Sequence, residues 1–236
     1  MAVLDRTLLA GATLEAARSL LGSRLLRDGP GDTRRTGRIV EVEAYIGEAD
    51  RASHARFGRT ARNEVMFGPP GRAYVYLVYG MYDCLNVVTE PAGSPAAVLI
   101  RAVEPVDGVA AMRASRLAVV TARHRAGSDP ERERRRLEAV PDHRLASGPG
   151  LVAAAFGIVR THTGTDLCDP RSCLRLEAAP ADEAPPDVEA TPRVGVAYSG
   201  EPWAHVPWRF VIAGDPSVSG RGGRPAVHGT SPSAGR

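Results

Sequence analysis

Two glutamates and a group of tyrosines are the residues of this chain whose types and spacing suit chemistry on a flat molecule. Glu43 lies in the segment EVEAY (Glu41–Tyr45), and four of the six tyrosines fall within residues 74–82, although aromatic residues make up only 5% of the sequence. A carboxylate can act as a general base that takes a proton from water. Aromatic rings can stack on a flat substrate. We therefore expect a carboxylate to act beside stacked rings.

Taken one at a time, these residues have simpler interpretations. Most glutamates are solvated, so Glu43 alone is more typical of a surface residue in a salt bridge. Aromatic residues favour strands, so packing accounts for any single tyrosine. His54 lies in a polar segment, where surface and capping histidines are common. Longer motifs must decide between the two interpretations.

The alternation of apolar and polar residues predicts the strands that position these side chains. It places Glu41, Glu43 and Tyr45 on one face of a strand. A turn at Gly80-Met81 predicts a hairpin that carries most of the tyrosines. The predicted strands cover residues 37–45, 73–79, 83–89, 96–103, 193–197 and 207–213.

Capping residues predict where the helices lie. Thr13 is a suitable N-cap for a helix over 14–21, and Asp129-Pro130 is typical of a helix start. Gly157 is expected to end an apolar helix. The apolar helix that Gly157 ends covers 151–156, and a further helix is predicted at 106–118. A long loop is predicted at 47–72 and an exposed segment at 178–192.

The composition indicates a single globular domain. The chain has 236 residues, of which 43% are hydrophobic and 24% charged, as is usual for soluble proteins. No apolar run is long enough to span a bilayer, and we expect no signal peptide. The three cysteines are an odd number without a Cys-x-x-Cys pair, which favours reduced thiols in the cytosol.

The charged residues exclude some kinds of chemistry. A net charge of +3 and a pI near 9.0 are compatible with a polyanionic partner but do not establish one. The chain contains no lysine, which excludes lysine Schiff bases and a phosphate-loop lysine.

Cys168 and Cys173, even with His162, have poor spacing for zinc and lack a fourth ligand. We predict no metal and no cofactor.

Long motifs give a specific resemblance. The segment GRIVEVEAYIGEADRASHARFGRTARNEVMFGPPGRAYVYLVYGMYDCLNV (Gly37–Val87), followed by AAVLIRAVEP (Ala96–Pro105), resembles the alkyladenine (3-methyladenine) DNA glycosylase family. The resemblance continues through TPRVGVAYSGE (Thr191–Glu201) and PWRFVIAGDP (Pro207–Pro216). It covers residues 14–216.

The resemblance implies both a fold and an activity. The fold is α+β, a single mixed domain around a curved antiparallel sheet with a protruding β-hairpin. The domain is expected over residues 1–216, with a disordered Gly/Ser/Pro/Arg tail over 217–236. The implied enzyme repairs DNA: it flips alkylated or deaminated purines out of the duplex and hydrolyses the N-glycosidic bond, leaving an abasic site. We expect damaged double-stranded DNA as partner, a monomer, no membrane, and the cytoplasm at the nucleoid as location.

The resemblance also assigns roles to individual residues. It makes Glu43 the residue that activates water, with Arg101 near that water and the DNA backbone. Asn86 would screen purines at the pocket floor, and Tyr79 would be inserted into the DNA stack. Glu41, whose role no motif carries, is expected to be secondary. The remaining assignments are base contacts by Tyr45, His54 and Tyr76, and DNA contacts by Arg62, Met66 and Met81.

These roles agree with elementary physics. A base inside a duplex must be unstacked at a cost of a few kcal/mol. N-alkylation makes a purine cationic, so that it stacks well on aromatic rings and leaves easily. Without lysine no lysine imine can form, so lysine-dependent strand cleavage is not expected.

Two alternative functions remain at this stage. One is a damage-binding protein that flips bases without cleaving them, against which the intact Glu43 argues. The other is a hydrolase of free nucleosides, in which a wedge residue such as Tyr79 would have no purpose. The sequence does not rank the lesions.

Overall fold

The longest strand, β2, is the central element of the fold and carries both glutamates. The computed structural model describes residues 2–29, 31, 33–78, 82–123 and 129–220. In this part of the chain there are eight strands: β1 (Arg24–Asp28), β2 (Arg34–Ile46), β3 (Ala73–Val78), β4 (Tyr82–Val88), β5 (Ala96–Asp107), β6 (Leu174–Glu177), β7 (Val188–Thr191) and β8 (Arg209–Ile212).

All these strands join in one antiparallel sheet. The main order is β3-β4-β5-β2-β1-β6, and every pairing is antiparallel. The first half of β2 pairs with β1. Its second half pairs with β8, which in turn pairs with β7. The expected α+β fold around an antiparallel sheet is confirmed, and the middle of β2 has a strand on each side.

Five α-helices complete the described part of the chain. Asp129 accepts a hydrogen bond from the backbone N–H of Glu131 and so caps a helix that begins at Pro130, as predicted. Gly157 ends another helix in the left-handed conformation, with φ at +63°. In the described ranges, no helix has both the length and the apolar character needed to cross a membrane. The helices are α1 (Thr7–Ala10), α2 (Thr13–Leu20), α3 (Val109–Arg123), α4 (Pro130–Glu138) and α5 (Pro149–Phe156).

Both faces of the second half of β2 are buried. The side chains of Val40, Val42 and Ala44 belong to the main apolar core, which includes residues of α2 and α5. Glu41 and Glu43 have no solvent exposure either. The interpretation of Glu43 as a surface residue is therefore wrong. The alternation of residues along a strand does not reveal that both faces of the sheet are covered, so the sequence pattern could not show this burial.

The hairpin formed by β3 and β4 contacts helix α5 close to its tip. Strands β3 and β4 pair from Ala73↔Val87 to Val78↔Tyr82, which confirms the two predicted strands. A Cβ on Gly150 of α5 would lie 2.8 Å from the Tyr82 side chain, so the glycine allows the hairpin to approach α5 closely. The tip, residues 79–81, lies outside the described residues, and the protrusion of the hairpin stays a prediction.

Several predicted boundaries need correction. The segment 193–197 is not a strand, since the backbone N–H of Val194 donates to Glu43 and a 3₁₀ turn begins at Ala197. β5 continues to Asp107, so α3 begins later than expected. Thr13 is the first helical residue and its hydroxyl donates to Glu90 instead of capping. The sequence patterns missed four elements: α1, β1, β6 and β7.

The folded domain continues past the boundary expected at residue 216. Ser217 and Val218 are buried, and the backbone N–H and hydroxyl of Ser219 both donate to Glu41. Residues 217–220 are thus part of the domain. The rest of the expected tail, 221–236, lies outside the described residues.

Candidate active site

Glu43 is buried and held by three hydrogen-bond donors. Its Oε2 accepts the hydroxyl of Tyr45 at 2.8 Å and Nη1 of Arg101 at 3.3 Å. Its Oε1 accepts the backbone N–H of Val194 at 2.7 Å. Tyr45, Arg101 and Val194 all line the same open cleft. The carboxylate therefore lies one hydrogen bond behind the wall of that cleft.

Glu41 is held more tightly, and by charged partners. Its Oε1 accepts Nε of Arg101 at 2.8 Å, Nε of Arg209 at 2.7 Å and the hydroxyl of Ser219 at 2.8 Å. Its Oε2 accepts the backbone N–H of Ser219 at 2.6 Å. Burial disfavours the charged form, but the two arginines outweigh it and lower the pKa of Glu41 below its ordinary value.

Arg101 connects the two carboxylates. It is 7% exposed and reaches both Glu41 and Glu43 with different nitrogens. Burial acts against its charge, but the two glutamates raise the pKa of Arg101 above its ordinary value. Arg101 is therefore a permanently charged donor at the cleft wall.

An irregularity in the sheet places Arg101 between the glutamates. The register of β2 and β5 shifts between Ile39 and Glu41 and again between Glu41 and Val42, and Arg101 has no partner in the regular pairing. Bulges of this kind redirect side chains and are frequent beside active sites. The other edge of β2 is fixed by β8, where Glu43 pairs with Arg209.

An aromatic cavity adjoins this charged group, and we name it the inner cavity. Its volume is about 20 Å³, close to what one water occupies. Residues from the segment 52–66 and from β2, β3, β4 and β5 form its walls. They are Tyr45, Ala52, His54, Met66, Tyr74, Tyr76, Asn86 and Ala97.

His54 and Tyr76 form one wall of the inner cavity. Their ring centroids are 4.4 Å apart at an interplanar angle of 74°, so no third ring fits between them. Nδ1 of His54 lies 3.0 Å from the Tyr74 hydroxyl. Burial, with Arg62 and Arg56 nearby, lowers the pKa of His54 to about 4. The imidazole is thus neutral at physiological pH.

A larger opening, which we name the outer cleft, adjoins the inner cavity. Its volume is about 460 Å³, within the range of small-molecule sites. Tyr45, His54 and Tyr76 line both spaces. The outer cleft adds Arg101, Val194 and Tyr198, so a molecule in it would meet rings on one side and the charged wall on another.

The structure places the remaining predicted site residues as follows. Asn86 is buried in the inner cavity, and its Nδ2 donates to the carbonyl of Tyr74. Arg62 is exposed beside the outer cleft, with its guanidinium carbon 5.6 Å from the Tyr76 ring centroid. Met66 is only 2% exposed and lines the inner cavity, and its contact with DNA stays a prediction. Tyr79 and Met81 lie outside the described residues.

Sequence reasoning missed a buried ion pair behind Tyr45. Arg193 and Asp50 are fully buried and joined by two hydrogen bonds of 2.6 and 2.9 Å. The Arg193 guanidinium carbon lies 4.7 Å from the centroid of the Tyr45 ring. Both residues fall inside the quoted motifs, but nothing in a local pattern shows that they meet across the fold.

The arrangement places a buried carboxylate directly behind a cleft that is lined by aromatic rings. Burial and the nearby Glu43 raise the pKa of Tyr45 well above its ordinary value, so its hydroxyl remains a donor to the carboxylate. In the described ranges, no three His, Cys, Asp or Glu side chains are grouped to hold a metal ion. The chemistry available from these side chains is acid–base catalysis beside stacked aromatic rings.

Comparisons with known proteins agree on one family. The model of the family described as Methylpurine-DNA glycosylase (MPG) matches residues 7–216. A protein of Methanocella arvoryzae named "Putative 3-methyladenine DNA glycosylase" is 47% identical over 221 residues, which cover 94% of this chain and 98% of that protein. A Bacillus cereus protein of the same printed name is 42% identical over 213 residues, 89% of this chain and 95% of that protein.

Proposed function

The chain belongs to the methylpurine-DNA glycosylase family, and we propose that it excises 3-methyladenine and related alkylated or deaminated purines from duplex DNA. As a monofunctional DNA glycosylase it hydrolyses the N-glycosidic bond and leaves the DNA strand intact. The proposed reaction uses water that Glu43 activates as general base. We also propose that it works as a monomer in the cytoplasm, at the nucleoid.

The position of Tyr45 carries this proposal. Its ring lines both the inner cavity and the outer cleft, while its hydroxyl donates to Glu43 at 2.8 Å. A base stacked on this ring would have its sugar close to the carboxylate. Loss of a cationic purine leaves an oxocarbenium-like sugar, which water attacks after giving a proton to Glu43.

We propose that the base lies between Tyr45 on one side and the pair His54 and Tyr76 on the other. The 4.4 Å separation of the His54 and Tyr76 rings supports a shared wall, because a base cannot enter between them. The inner cavity, at about 20 Å³, must widen to admit a purine. The neutral imidazole of His54 adds no positive charge beside an alkylated, cationic base.

Two buried polar residues are proposed to act beside the base: one selects among purines, and the other orients Glu43. Asn86 would disfavour guanine, because its amide meets the exocyclic amine of that base. Arg101, held against both glutamates, would orient Glu43 and face the DNA backbone across the outer cleft.

The test is single-turnover excision on a panel of duplexes that each carry one defined lesion. We expect release of the free base and an abasic site in an uncut strand. Binding without release of the base would instead support a damage-binding protein. Equal hydrolysis of free nucleosides would support a nucleoside hydrolase. In the same panel, Asn86→Ser should raise the excision of an alkylguanine relative to hypoxanthine, and an unchanged ratio would refute the filter role.

Tyr79 is proposed as the residue that fills the gap left by the flipped base. Tyr79→Ala should slow excision from a duplex more than excision of an unpaired lesion, because little stacking remains to be broken in the latter. Equal losses on both substrates would assign Tyr79 to packing in the fold or to the lining of the pocket, and Tyr82 or Met81 would be the next candidate.

A further inference from the structure

Two aromatic side chains, one of which lines the outer cleft, are exposed to an unusual degree. Phe57 is 74% exposed and Tyr198 is 64% exposed. Among the described residues no other large hydrophobic side chain exceeds these values. Exposed apolar groups that gather beside a cleft commonly mark a binding surface.

An arginine holds the two rings together. The guanidinium carbon of Arg56 lies 4.4 Å from the centroid of Phe57 and 5.1 Å from that of Tyr198. Arg56 also donates to the carbonyl of Arg51, and the Tyr198 hydroxyl donates to the carbonyl of Ala52 at 3.2 Å. Both the cation and one ring are therefore fixed to the backbone beside the inner cavity.

This group, which we name the rim platform (Arg56, Phe57 and Tyr198), is continuous with the proposed base site. His54 and Phe57 are the two ends of one 3₁₀ turn, and residues three apart in such a turn lie on the same face. His54 lines the inner cavity, and Tyr198 lines the outer cleft. A strand whose nucleotide enters the cleft would pass over the platform.

We propose that the rim platform stacks a base of the damaged DNA strand next to the flipped nucleotide. Flipping disrupts the stack around the neighbouring base. Tyr79 is proposed to fill the gap inside the duplex, so the platform would act on a neighbouring base that has left the stack. Exposed rings beside arginine are the composition that proteins use to stack unpaired bases, through ring faces and cation–π contacts. The platform would also add positive charge near the phosphates. This inference rests on the proposed function, since it requires a DNA strand at the outer cleft.

The experiment compares Phe57→Ala with two control variants. Leu8→Ala removes another exposed large side chain, 47% exposed, that lines neither the inner cavity nor the outer cleft. Phe57→Trp keeps an aromatic face. Each protein is tested on a duplex with one hypoxanthine, and on the same duplex with abasic tetrahydrofuran residues on both sides of the lesion. Binding and single-turnover excision are both measured as functions of protein concentration.

We expect Phe57→Ala to weaken binding and raise the half-saturating concentration about fivefold or more on the normal duplex. The change should be small on the duplex without flanking bases, where there is nothing to stack. Leu8→Ala should change neither, and Phe57→Trp should behave as the unmodified protein. Equal weakening on both duplexes, or none on either, would overturn the platform. Failure of the proposed function would instead appear as no excision by the unmodified protein on either duplex.

Discussion

Glu41 and Glu43 occupy the same face of β2 and are equally buried, yet their surroundings differ. Glu41 accepts four hydrogen bonds, two of them from arginines. Glu43 accepts three, from donors that all line the outer cleft. The difference teaches that burial alone does not separate a structural carboxylate from a catalytic one. The position of the donors distinguishes the two glutamates, because all three donors of Glu43 line the cleft where water and substrate would lie, whereas only Arg101 among the donors of Glu41 does.

The largest expected effect is the loss of excision rate in the variant Glu43→Gln. Loss of a general base should slow single-turnover excision by about a hundredfold or more, while lesion binding is retained because the shape is unchanged. Glu41→Gln is the matched control, with the same chemical change two residues away. Loss of chemistry in Glu41→Gln with a near-normal rate in Glu43→Gln would show that the wrong carboxylate was assigned.

The order of the two variants should reverse when stability is measured: Glu41→Gln should lose more unfolding free energy than Glu43→Gln. Glu41→Gln removes the carboxylate partner of the partly buried Arg209 and one of the two carboxylate partners of the buried Arg101, and loss of one partner from a buried ion pair costs about 3–5 kcal/mol of unfolding free energy. Glu43→Gln should cost less, because its only charged partner lies 3.3 Å away. Urea unfolding monitored for both midpoint and slope measures the difference. Equal losses would mean that the two carboxylates support the fold alike.

The dependence of stability on pH should separate the charged network from the aromatic wall. The pKa of His54, lowered to about 4, means that the unfolded chain binds the proton first, so stability falls as pH drops from about 6.5 to 4. The pKa of Glu41 is lowered in the folded state, so its charge stabilises the fold at pH values above the ordinary pKa of a glutamate. This stabilisation is lost only at lower pH, as the pH falls towards the lowered pKa. His54→Gln should therefore flatten the upper part of the curve, and Glu41→Gln the lower part. Unfolding free energies from pH 3 to 8 would check this, and identical curves would contradict it.

Local sequence patterns predicted the strand that carries both glutamates but not their environments. The alternation in 37–45 placed Glu41, Glu43 and Tyr45 on one face, and the hydrogen bonds that link them agree with that. The groups that distinguish the two glutamates come from Val194 and Ser219, more than 140 residues further along the chain.

The failures of prediction have one physical reason. Val194 reads as part of a strand, but its N–H serves Glu43 instead of a neighbouring strand. Ser219 lies in a Gly/Ser/Pro-rich segment typical of disorder, but the buried charge of Glu41 fixes it. Such long-range partners are decided by the assembled fold and leave no signal in local periodicity.

The smallest expected effect comes from a variant that alters the hydrogen bonds around Glu41 but removes no charge. The Ser219 hydroxyl donates to Glu41 and accepts from Arg101 at 3.4 Å, while the backbone N–H supplies a second bond that Ser219→Ala keeps. Ser219→Ala should therefore cost about 1–2 kcal/mol of unfolding free energy. Excision should change little, because Glu43 and its donors remain in place.

Ser217→Ala is the matched control for that variant. Ser217 is also buried, and its hydroxyl has no hydrogen-bond partner among the described residues. Its replacement should leave stability unchanged or raise it slightly, because a polar group without a partner is removed from the interior. Chemical denaturation of both variants, with single-turnover excision of hypoxanthine, gives the comparison. A large loss of excision in Ser219→Ala at nearly normal stability would show that Glu41 acts on the reaction through Arg101, and the separation of the two glutamates into structural and catalytic would then fail.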